Sequence, residues 1–346
     1  MKKVLILALG LSLTAASCNL LGSSGPRGIL KSEDGGETYT PSNVLVKKGD
    51  ISGLKINELT FDPNDPSTLF VGSANGIHKS TDSAKTWTFI LAKMRIGDIA
   101  IDPSSTDILY ASGVSGENGK IIKTKDGGQT FQEIYSEPTK NNPVLSLAIS
   151  KANSKVLLAG LGNGEIIRSV DEGATWQLVR DVTNPVIKLE YTENTIAYAL
   201  TLNGGLYKTI DQGSNWTVVD VALTADPEAK FKPALLKRYY DIAFDQKLPG
   251  VIFLATEQGL LRSIDGGVSW AIMSLPVTNE TLKVSAVSVN PTNSNNILIA
   301  IGSTIFKTNN GGITWETKKL ATEQKVMRIV INPDEPNIIY LGMGER

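Results

Sequence analysis

The stretch SIDGGVSW, residues 263–270, combines the residue types of a small catalytic loop: hydroxyls, a carboxylate, two glycines and an aromatic ring. The pattern S/T-x-D-x-G-x-T/S-W/F recurs seven times, with some substitutions, at intervals of 40 to 54 residues. Seven equivalent carboxylates spread along a chain cannot converge on one substrate, so the repeat indicates a structural turn. Its acidic positions are Asp34, Asp82, Asp126, Asp171, Asp211, Asp265 and, with an amide in place of the acid, Asn310.

A period near 45 residues matches four short strands and their turns, which make one blade of a β-propeller. Within a period, alternating or β-branched runs such as INELTFDP (56–63) and STLFVGSA (67–74) predict strands. Helical periodicity is confined to a short candidate around PEAKFKPALLKRYY (227–240). The chain is therefore expected to be all-β.

The repeat resembles the Asp-box (BNR) repeat of sialidases, sortilin-type domains, xyloglucanase-type glycosidases and photosystem II assembly-factor propellers. This resemblance implies that each box forms the turn between the third and fourth strands of a blade. Several boxes depart from the pattern, among them those with Ala84 for the glycine, Asn215 for the hydroxyl residue and Asn310 for the aspartate. A structural turn can absorb such changes, whereas a catalytic carboxylate could not.

The first repeat has no strand pair before it, and MRIVINPDEPNIIYLGMG (327–344) supplies a strand pair with no repeat after it. Pairing these two halves closes a ring and leaves few exposed strand edges. We therefore expect residues 28–346 to form a seven-bladed β-propeller with four-stranded blades, closed by a composite blade from the two ends of the chain.

The N-terminal segment, residues 1–17, joins two lysines, an apolar run and a small-residue end, which is typical of a secretory signal. Cys18 follows in TAASC, which resembles a bacterial lipoprotein cleavage box and implies lipidation of that cysteine. Residues 18–27 are rich in Gly and Ser and predict a flexible tether. The expected protein is exported and lipid-anchored, in the outer membrane of a Gram-negative cell or otherwise in the outer leaflet of the cytoplasmic membrane.

Composition narrows the function classes. With 34 basic and 35 acidic residues, the net charge of −1 argues against a general nucleic-acid binder. His78 is the single histidine and lies in a predicted third strand, so we expect no metal site. No nucleophile elbow or phosphate loop is present in the sequence. We expect no cofactor, no nucleic-acid partner and a monomeric propeller.

Function is expected on the face opposite the boxes, where propellers of this type place their second-to-third strand loops and inter-blade connections. In five of the seven predicted first strands, a basic residue lies seven positions before the Asp or Asn that follows the strand. A ring of like charges calls for anionic partners, so these residues form a candidate binding rim. They are Lys55, Arg95, Arg238, Lys283 and Lys325, and the alternative is that Glu58, Asp98 and Asp241, three residues further on, neutralise them.

The longest interval between repeats contains ADPEAKFKPALLKRYYD (225–241), an insertion between blades. It is a candidate binding loop on the presumed functional face, and the alternative is a solvated crossover with no ligand. Its candidate contact residues are Lys230, Phe231, Lys232, Lys237, Tyr239 and Tyr240.

Two functions remain. All five tryptophans lie in the boxes, no sialidase-like set of Tyr, Glu and Asp can be matched, and xyloglucanase-type enzymes place their cleft between two propellers. The main prediction is a non-enzymatic scaffold that binds an envelope protein, with no catalytic residue. The alternative is a glycan-binding propeller or a glycoside hydrolase, sialidase-like or xyloglucanase-like, using Arg95, Arg238 and Arg328. If the chain is an enzyme, it is expected to be a glycosidase.

Overall fold

The computed structural model of the chain describes residues 27–221, 238–277 and 282–345. Within these ranges 28 strands form seven antiparallel sheets of four strands each, and there is no helix. The sheets are arranged as the blades of a ring, which confirms the predicted all-β, seven-bladed propeller.

The strands follow the chain from blade to blade. Two strands precede the first complete blade: β1 (Ile29–Ser32) and β2 (Thr40–Pro41). Blades 1 to 3 are β3 (Ile56–Asp62), β4 (Asp65–Ser73), β5 (Gly76–Ser80), β6 (Thr88–Ala92); β7 (Arg95–Ile101), β8 (Leu109–Ser115), β9 (Asn118–Thr124), β10 (Gln132–Lys140); and β11 (Val144–Ile149), β12 (Leu157–Leu161), β13 (Glu165–Ser169), β14 (Gln177–Asp181). Blades 4 to 6 are β15 (Val186–Tyr191), β16 (Ala197–Thr201), β17 (Leu206–Thr209), β18 (Thr217–Val218); β19 (Tyr239–Phe244), β20 (Ile252–Thr256), β21 (Gly259–Ser263), β22 (Ala271–Ile272); and β23 (Ala286–Val289), β24 (Ile297–Ile301), β25 (Thr304–Thr308), β26 (Glu316–Lys319). The last two strands are β27 (Lys325–Ile331) and β28 (Ile339–Gly344).

Blade 7 is the predicted composite, with strand order β2-β1-β28-β27. The strand β1 from one end of the chain pairs with β28 from the other, with Leu30 opposite Leu341 and Lys31 opposite Tyr340. The inner strand β27 of this blade then contacts β3 of blade 1. Strand pairing therefore closes the ring.

The hydrophobic core is divided among seven clusters, each shared by two neighbouring blades. A bulky aromatic residue of the second strand enters such a cluster in five blades, as the alternation of the sequence predicts. These residues are fully or almost fully buried: Phe70, Tyr110, Tyr198, Phe253 and Tyr340. Burying one such ring stabilises the fold by about 1.5–3 kcal/mol. Because each ring lies in a cluster shared by two blades, this burial holds neighbouring blades together.

The repeated octapeptide connects the third strand to the fourth in every blade. We call these segments the octapeptide turns: 32–39, 80–87, 124–131, 169–176, 209–216, 263–270 and 308–315. In the turn of blade 1, Asp82 Oδ1 accepts hydrogen bonds from the Ser80 hydroxyl at 2.8 Å and the Thr86 amide at 2.9 Å, and its Oδ2 accepts one from the Thr86 hydroxyl at 2.6 Å. The carboxylate thus ties the two ends of the turn together.

The departures from the repeat keep this geometry. Asn310 Oδ1 accepts from the Thr308 hydroxyl and the Thr314 amide, and its Nδ2 donates to the Thr314 hydroxyl. Ala84 adopts a φ of 63°, where the other six turns have glycine at φ of 87° to 97°. Because an asparagine meets the same bonding demands, the negative charge is not required for the turn.

Substituting Asp82 tests this role of the turn. We expect Asp82→Ala to destabilise the fold by about 2 kcal/mol, since it deletes three hydrogen bonds of roughly 1 kcal/mol or less each. Asp82→Asn is expected to cost less than half as much, because Asn310 makes the equivalent bonds. Urea denaturation of the two variants measures the difference, and equal losses of stability would show that the charge itself matters.

Candidate functional site

The face opposite the octapeptide turns carries two depressions near the ring axis. One, the mouth cavity, has a volume of about 400 Å³ and is lined by residues of blades 1 to 4 and 7, including Lys55, Arg95 and Arg328. The other, the groove, has a volume of about 790 Å³ and is lined by residues of blades 2 to 5 and by Lys283, which precedes the inner strand of blade 6. Pro143, Leu145 and Ile187 line both, so the two depressions adjoin each other.

A third space, the channel cavity of about 460 Å³, lies along the ring axis between the inner strands. In six blades the pairing of the first two strands slips by one residue near the start of the inner strand, as between Ile56 and Glu58 in blade 1. Such a bulge changes the direction in which a side chain points, compared with the regular alternation along a strand. The charged residues that line the channel at these positions are Glu58, Asp98, Lys188, Asp241 and Arg328.

Two ion pairs join neighbouring blades along the channel cavity. Arg328 Nε donates to Glu58 Oε2 at 3.0 Å, and Lys188 Nζ donates to Asp241 Oδ1 at 2.9 Å. Burial alone would lower the pKa of Arg328, but the carboxylates of Glu58 and Asp241 outweigh it and raise that pKa. Burial would likewise raise the pKa of Asp241, and Lys188 and Arg328 lower it instead. The channel charges therefore hold one another in place.

Asp98 differs from the other carboxylates of the channel. Burial, together with the nearby charge of Glu58, raises the pKa of Asp98 to about 7. Its two oxygens accept hydrogen bonds from the amide of Ile99 at 2.7 Å and from the amide of Leu147 in the next blade at 2.8 Å. Asp241 bonds the amide of Val287 in the next blade in the same way. Both aspartates thus join neighbouring blades, and Asp98 does so while titrating near neutral pH.

The five residues of the predicted rim do not all line one depression. Lys55 and Arg95 line the mouth cavity, where Lys55 pairs with Glu345 at 2.6 Å. Arg238 and Lys283 line the groove. Lys325 begins β27 opposite Gly344 and is half-buried, outside both depressions. The rim is therefore divided into two pairs and one separate residue.

The alternative was that three carboxylates neutralise the rim, those of Glu58, Asp98 and Asp241. Two of them are instead paired with other cations. Glu58 and Asp241 bond to Arg328 and Lys188, two channel residues that do not belong to the predicted rim. Sequence reasoning did not single out Lys188. The signal was its position in β15, which is equivalent to that of Glu58 in β3.

Most of the predicted binding loop lies outside the described residues, which is also true of Cys18. The loop residues concerned are Lys230, Phe231, Lys232 and Lys237. The expectation that Tyr239 is available on the functional face is wrong, because its side chain is 3% exposed and packs between blades 4 and 5. Tyr239 occupies the first core position of its inner strand, as Ile56 does in blade 1. Tyr240 is also buried, but it lines the groove.

The three arginines of the glycoside hydrolase alternative do not all line one depression either. Arg95 and Arg328 line the mouth cavity, Arg238 lines the groove, and Arg328 is already bonded to Glu58. Sequence reasoning missed the amide side chains of the groove, which come from the short loops between strands. They are Asn141, Asn142, Asn163 and Asn203. The signal was their place beside Gly and Pro in the loops NNPV, GLGNGE and LNGG.

Among the described residues there is no group of three or more His, Cys, Asp or Glu side chains placed to hold a metal ion. His78 stacks against Phe89, with ring centroids 4.8 Å apart, and burial lowers its pKa. No helix long and apolar enough to cross a membrane occurs in the part of the chain that the structure describes.

Sequence relatives of the chain are glycan-degrading enzymes. No family model matches the chain. It is 21% identical over 377 residues to the xyloglucanase Xgh74A of Acetivibrio thermocellus, covering 92% of this chain and 41% of the relative. It is 26% identical over 266 residues to a xyloglucanase of a Paenibacillus species, covering 70% of this chain and 23% of the relative. The chain thus spans less than half the length of either relative.

Solved structures share the fold. The GH74 xyloglucanase from Xanthomonas campestris superimposes with a TM-score of 0.66 at 18% identity, covering 84% of this chain and 51% of that chain. YCF48 bound to D1 peptide superimposes with a TM-score of 0.62 at 15% identity, covering 84% of this chain and 93% of that chain. At these identities the likeness shows the β-propeller fold.

The sequence relatives correct the main functional expectation. They are xyloglucanases, and this favours the glycoside hydrolase alternative over a non-enzymatic envelope scaffold. They agree with the narrower expectation that an enzyme of this sequence would be a glycosidase. The scaffold prediction relied on the lack of a matched sialidase-like set and of a second propeller, neither of which excludes a relationship to xyloglucanases.

The titration of Asp98 makes folding stability depend on pH in a defined direction. An Asp pKa raised from 3.8 to about 7 on folding means that the folded state keeps a proton that the unfolded state has lost. Its contribution to stability is therefore complete below about pH 4, falls by up to about 1.4 kcal/mol per pH unit, and is lost above about pH 7.

Chemical denaturation of the wild type and Asp98→Asn between pH 4.5 and 8 measures this contribution. We expect the stability of the wild type relative to the variant to fall towards pH 7 and then level off. Taking the difference cancels His78, whose lowered pKa makes stability change in the opposite direction. Parallel profiles of the two proteins would contradict the assignment.

Proposed function

We propose that this chain is a glycan-binding propeller of the glycoside hydrolase type, similar to xyloglucanases, and that the groove holds the polysaccharide. The observation that carries the proposal is the relationship to xyloglucanases, which extends over 92% of the chain and so includes every blade. The structure adds a site of suitable size, a groove of about 790 Å³ on a rigid ring.

The lining of the groove supports this ligand class. The exposed side chains of Asn141, Asn163 and Asn203 each carry an amide that can both donate and accept hydrogen bonds. Sugar hydroxyls also donate and accept, so amides match them in either role. The apolar side chains of Leu145 and Ile187 form part of the floor, which suits the C–H faces of sugar rings.

Hydrolysis of a glycosidic bond requires a proton donor and a second carboxylate. No carboxylate lines the groove within the described part of the chain, and the channel cavity beneath it contains Glu58 and Asp98. Asp98 has the pKa of a group that can give up a proton near neutral pH. We propose this pair as the acids to test first.

Polysaccharide binding by residues 28–346 tests the proposal. We expect the protein to be retarded in gels that contain a polysaccharide from a panel of neutral and acidic glycans. Asn163→Ala combined with Asn203→Ala should weaken retention about tenfold, because two hydrogen-bonding side chains are lost from the groove. A matched control is Asn153→Ala combined with Asn293→Ala, in loops at the other end of the blades.

Released reducing ends measure hydrolysis in the same preparations. If a glycan is hydrolysed, Asp98→Asn should abolish turnover and keep gel retention. The proposed function would be wrong if no glycan of the panel is bound or hydrolysed.

We further propose that the octapeptide turns are Asp boxes and that the chain is an exported lipoprotein anchored through Cys18. The hydrogen-bonded geometry of all seven turns supports the first. The second is supported by the N-terminal sequence, in which a segment typical of a secretory signal is followed by Cys18 in TAASC. Partition of the full chain into a detergent phase, lost in Cys18→Ser, is the expected result, and equal partition would contradict the anchor.

A further inference from the structure

We propose that the polysaccharide bound by this propeller is acidic, and that Arg95 and Arg238 recognise its carboxylate groups. This inference rests on the proposed function and specifies its substrate class. Uronic acid residues supply such carboxylates in polysaccharides, so the ligand class is a uronate-bearing polymer.

The charge of the two depressions is strongly one-sided. The described lining of the groove contains three basic residues, Lys140, Arg238 and Lys283, and no Asp or Glu. The described lining of the mouth cavity contains Lys55, Arg95 and Arg328 with a single carboxylate, Glu345. The whole chain has a net charge of −1, so this basic surface is a local feature. Such a concentration of one sign attracts anionic ligands.

Several of these basic groups already have carboxylate partners within the protein. Lys140 pairs with Glu117 at 2.6 Å, and Lys55 pairs with Glu345 at 2.6 Å. Arg328 pairs with Glu58 at 3.0 Å.

Arg95 and Arg238 differ from these paired basic residues. Both are exposed at the surface. Neither forms an ion pair with a carboxylate of the described residues. All ion pairs within 4 Å among these residues involve other side chains. A guanidinium group offers a planar fork of N–H donors that fits a carboxylate in a bidentate manner. The two arginines are therefore the basic groups most able to donate hydrogen bonds to an anionic ligand.

The position of the two arginines favours a polymer over a small anion. Arg95 starts the inner strand of blade 2, and Arg238 precedes the inner strand of blade 5. The shared wall of Pro143, Leu145 and Ile187 connects the mouth cavity of Arg95 with the groove of Arg238. A chain of sugar residues lying across this wall can present one carboxylate to each arginine.

Aromatic residues give little support to a neutral ligand. Tyr240 is the single aromatic residue among those described that line the groove, and it is 7% exposed. The ammonium of Lys283 lies over its ring, 4.5 Å from the centroid. All five tryptophans belong to octapeptide turns, at the opposite face. Because stacking on exposed rings is scarce here, charge is the stronger means of recognition.

The test compares three soluble polysaccharides by calorimetry on residues 28–346: polygalacturonate, neutral xyloglucan and dextran sulfate. We expect polygalacturonate to bind at least tenfold more tightly than xyloglucan at low salt, and its affinity to fall as NaCl is added. Each of Arg95→Gln and Arg238→Gln should weaken polygalacturonate binding about tenfold. The matched control is Lys85→Gln combined with Lys125→Gln, two exposed residues of the octapeptide turns, and it should leave the affinity unchanged.

The possible outcomes separate the two proposals. Xyloglucan binding as tightly as polygalacturonate would overturn the acidic-ligand inference and leave the glycan-binding function standing. Equal binding of dextran sulfate and polygalacturonate would overturn carboxylate recognition, because it would indicate general attraction of anions. Loss of affinity in the control as large as in the arginine variants would also overturn it. If no glycan binds, the proposed function fails together with the inference.

Discussion

The pairing of β1 with β28 is the constraint on which the rest of the structure depends. It joins residues about 310 positions apart, as Leu30 with Leu341, and makes seven blades a closed ring. Each hydrophobic cluster is shared by two blades, so no blade has a complete core until both of its neighbours are present. Closure also brings β27 against β3, which places Arg328 beside Glu58. The packing, the channel charges and the depressions at the ring axis therefore all follow from one strand pairing.

The channel shows how the ring accommodates charge near its axis. An isolated buried charge is costly, and here each cation meets a carboxylate of another blade. Arg328 meets Glu58, and Lys188 meets Asp241. Asp98 has no such cation bonded to it, which is why burial and Glu58 raise its pKa to about 7. The same residue bonds the next blade through the amide of Leu147, so a titrating group lies within the framework of the ring.

The repeat allowed most of the fold to be predicted, and its regularity also explains where prediction failed. Turn bonds such as those of Asp82 involve residues within four positions, so the local pattern is sufficient. The channel pairs join distant residues, as with Arg328 and Glu58, and a linear pattern cannot reveal them. The inter-blade insertion was predicted to run to Asp241, but the inner strand β19 begins at Tyr239, so Tyr239 was expected at the surface and lies in the core. The groove amides lie in short loops beside Gly and Pro, where no repeated pattern distinguishes a binding residue from a turn residue.

We propose that a glycan binds to the face opposite the octapeptide turns, and that the basic groups of this face select an acidic polymer. Hydrogen exchange of residues 28–346, followed by mass spectrometry with and without polygalacturonate, locates the bound polymer most directly. We expect slower exchange in peptides that contain Asn142, Asn163, Asn203 and Arg238, with no change in the octapeptide turns. Protection confined to the turns, or spread equally over both faces, would contradict it.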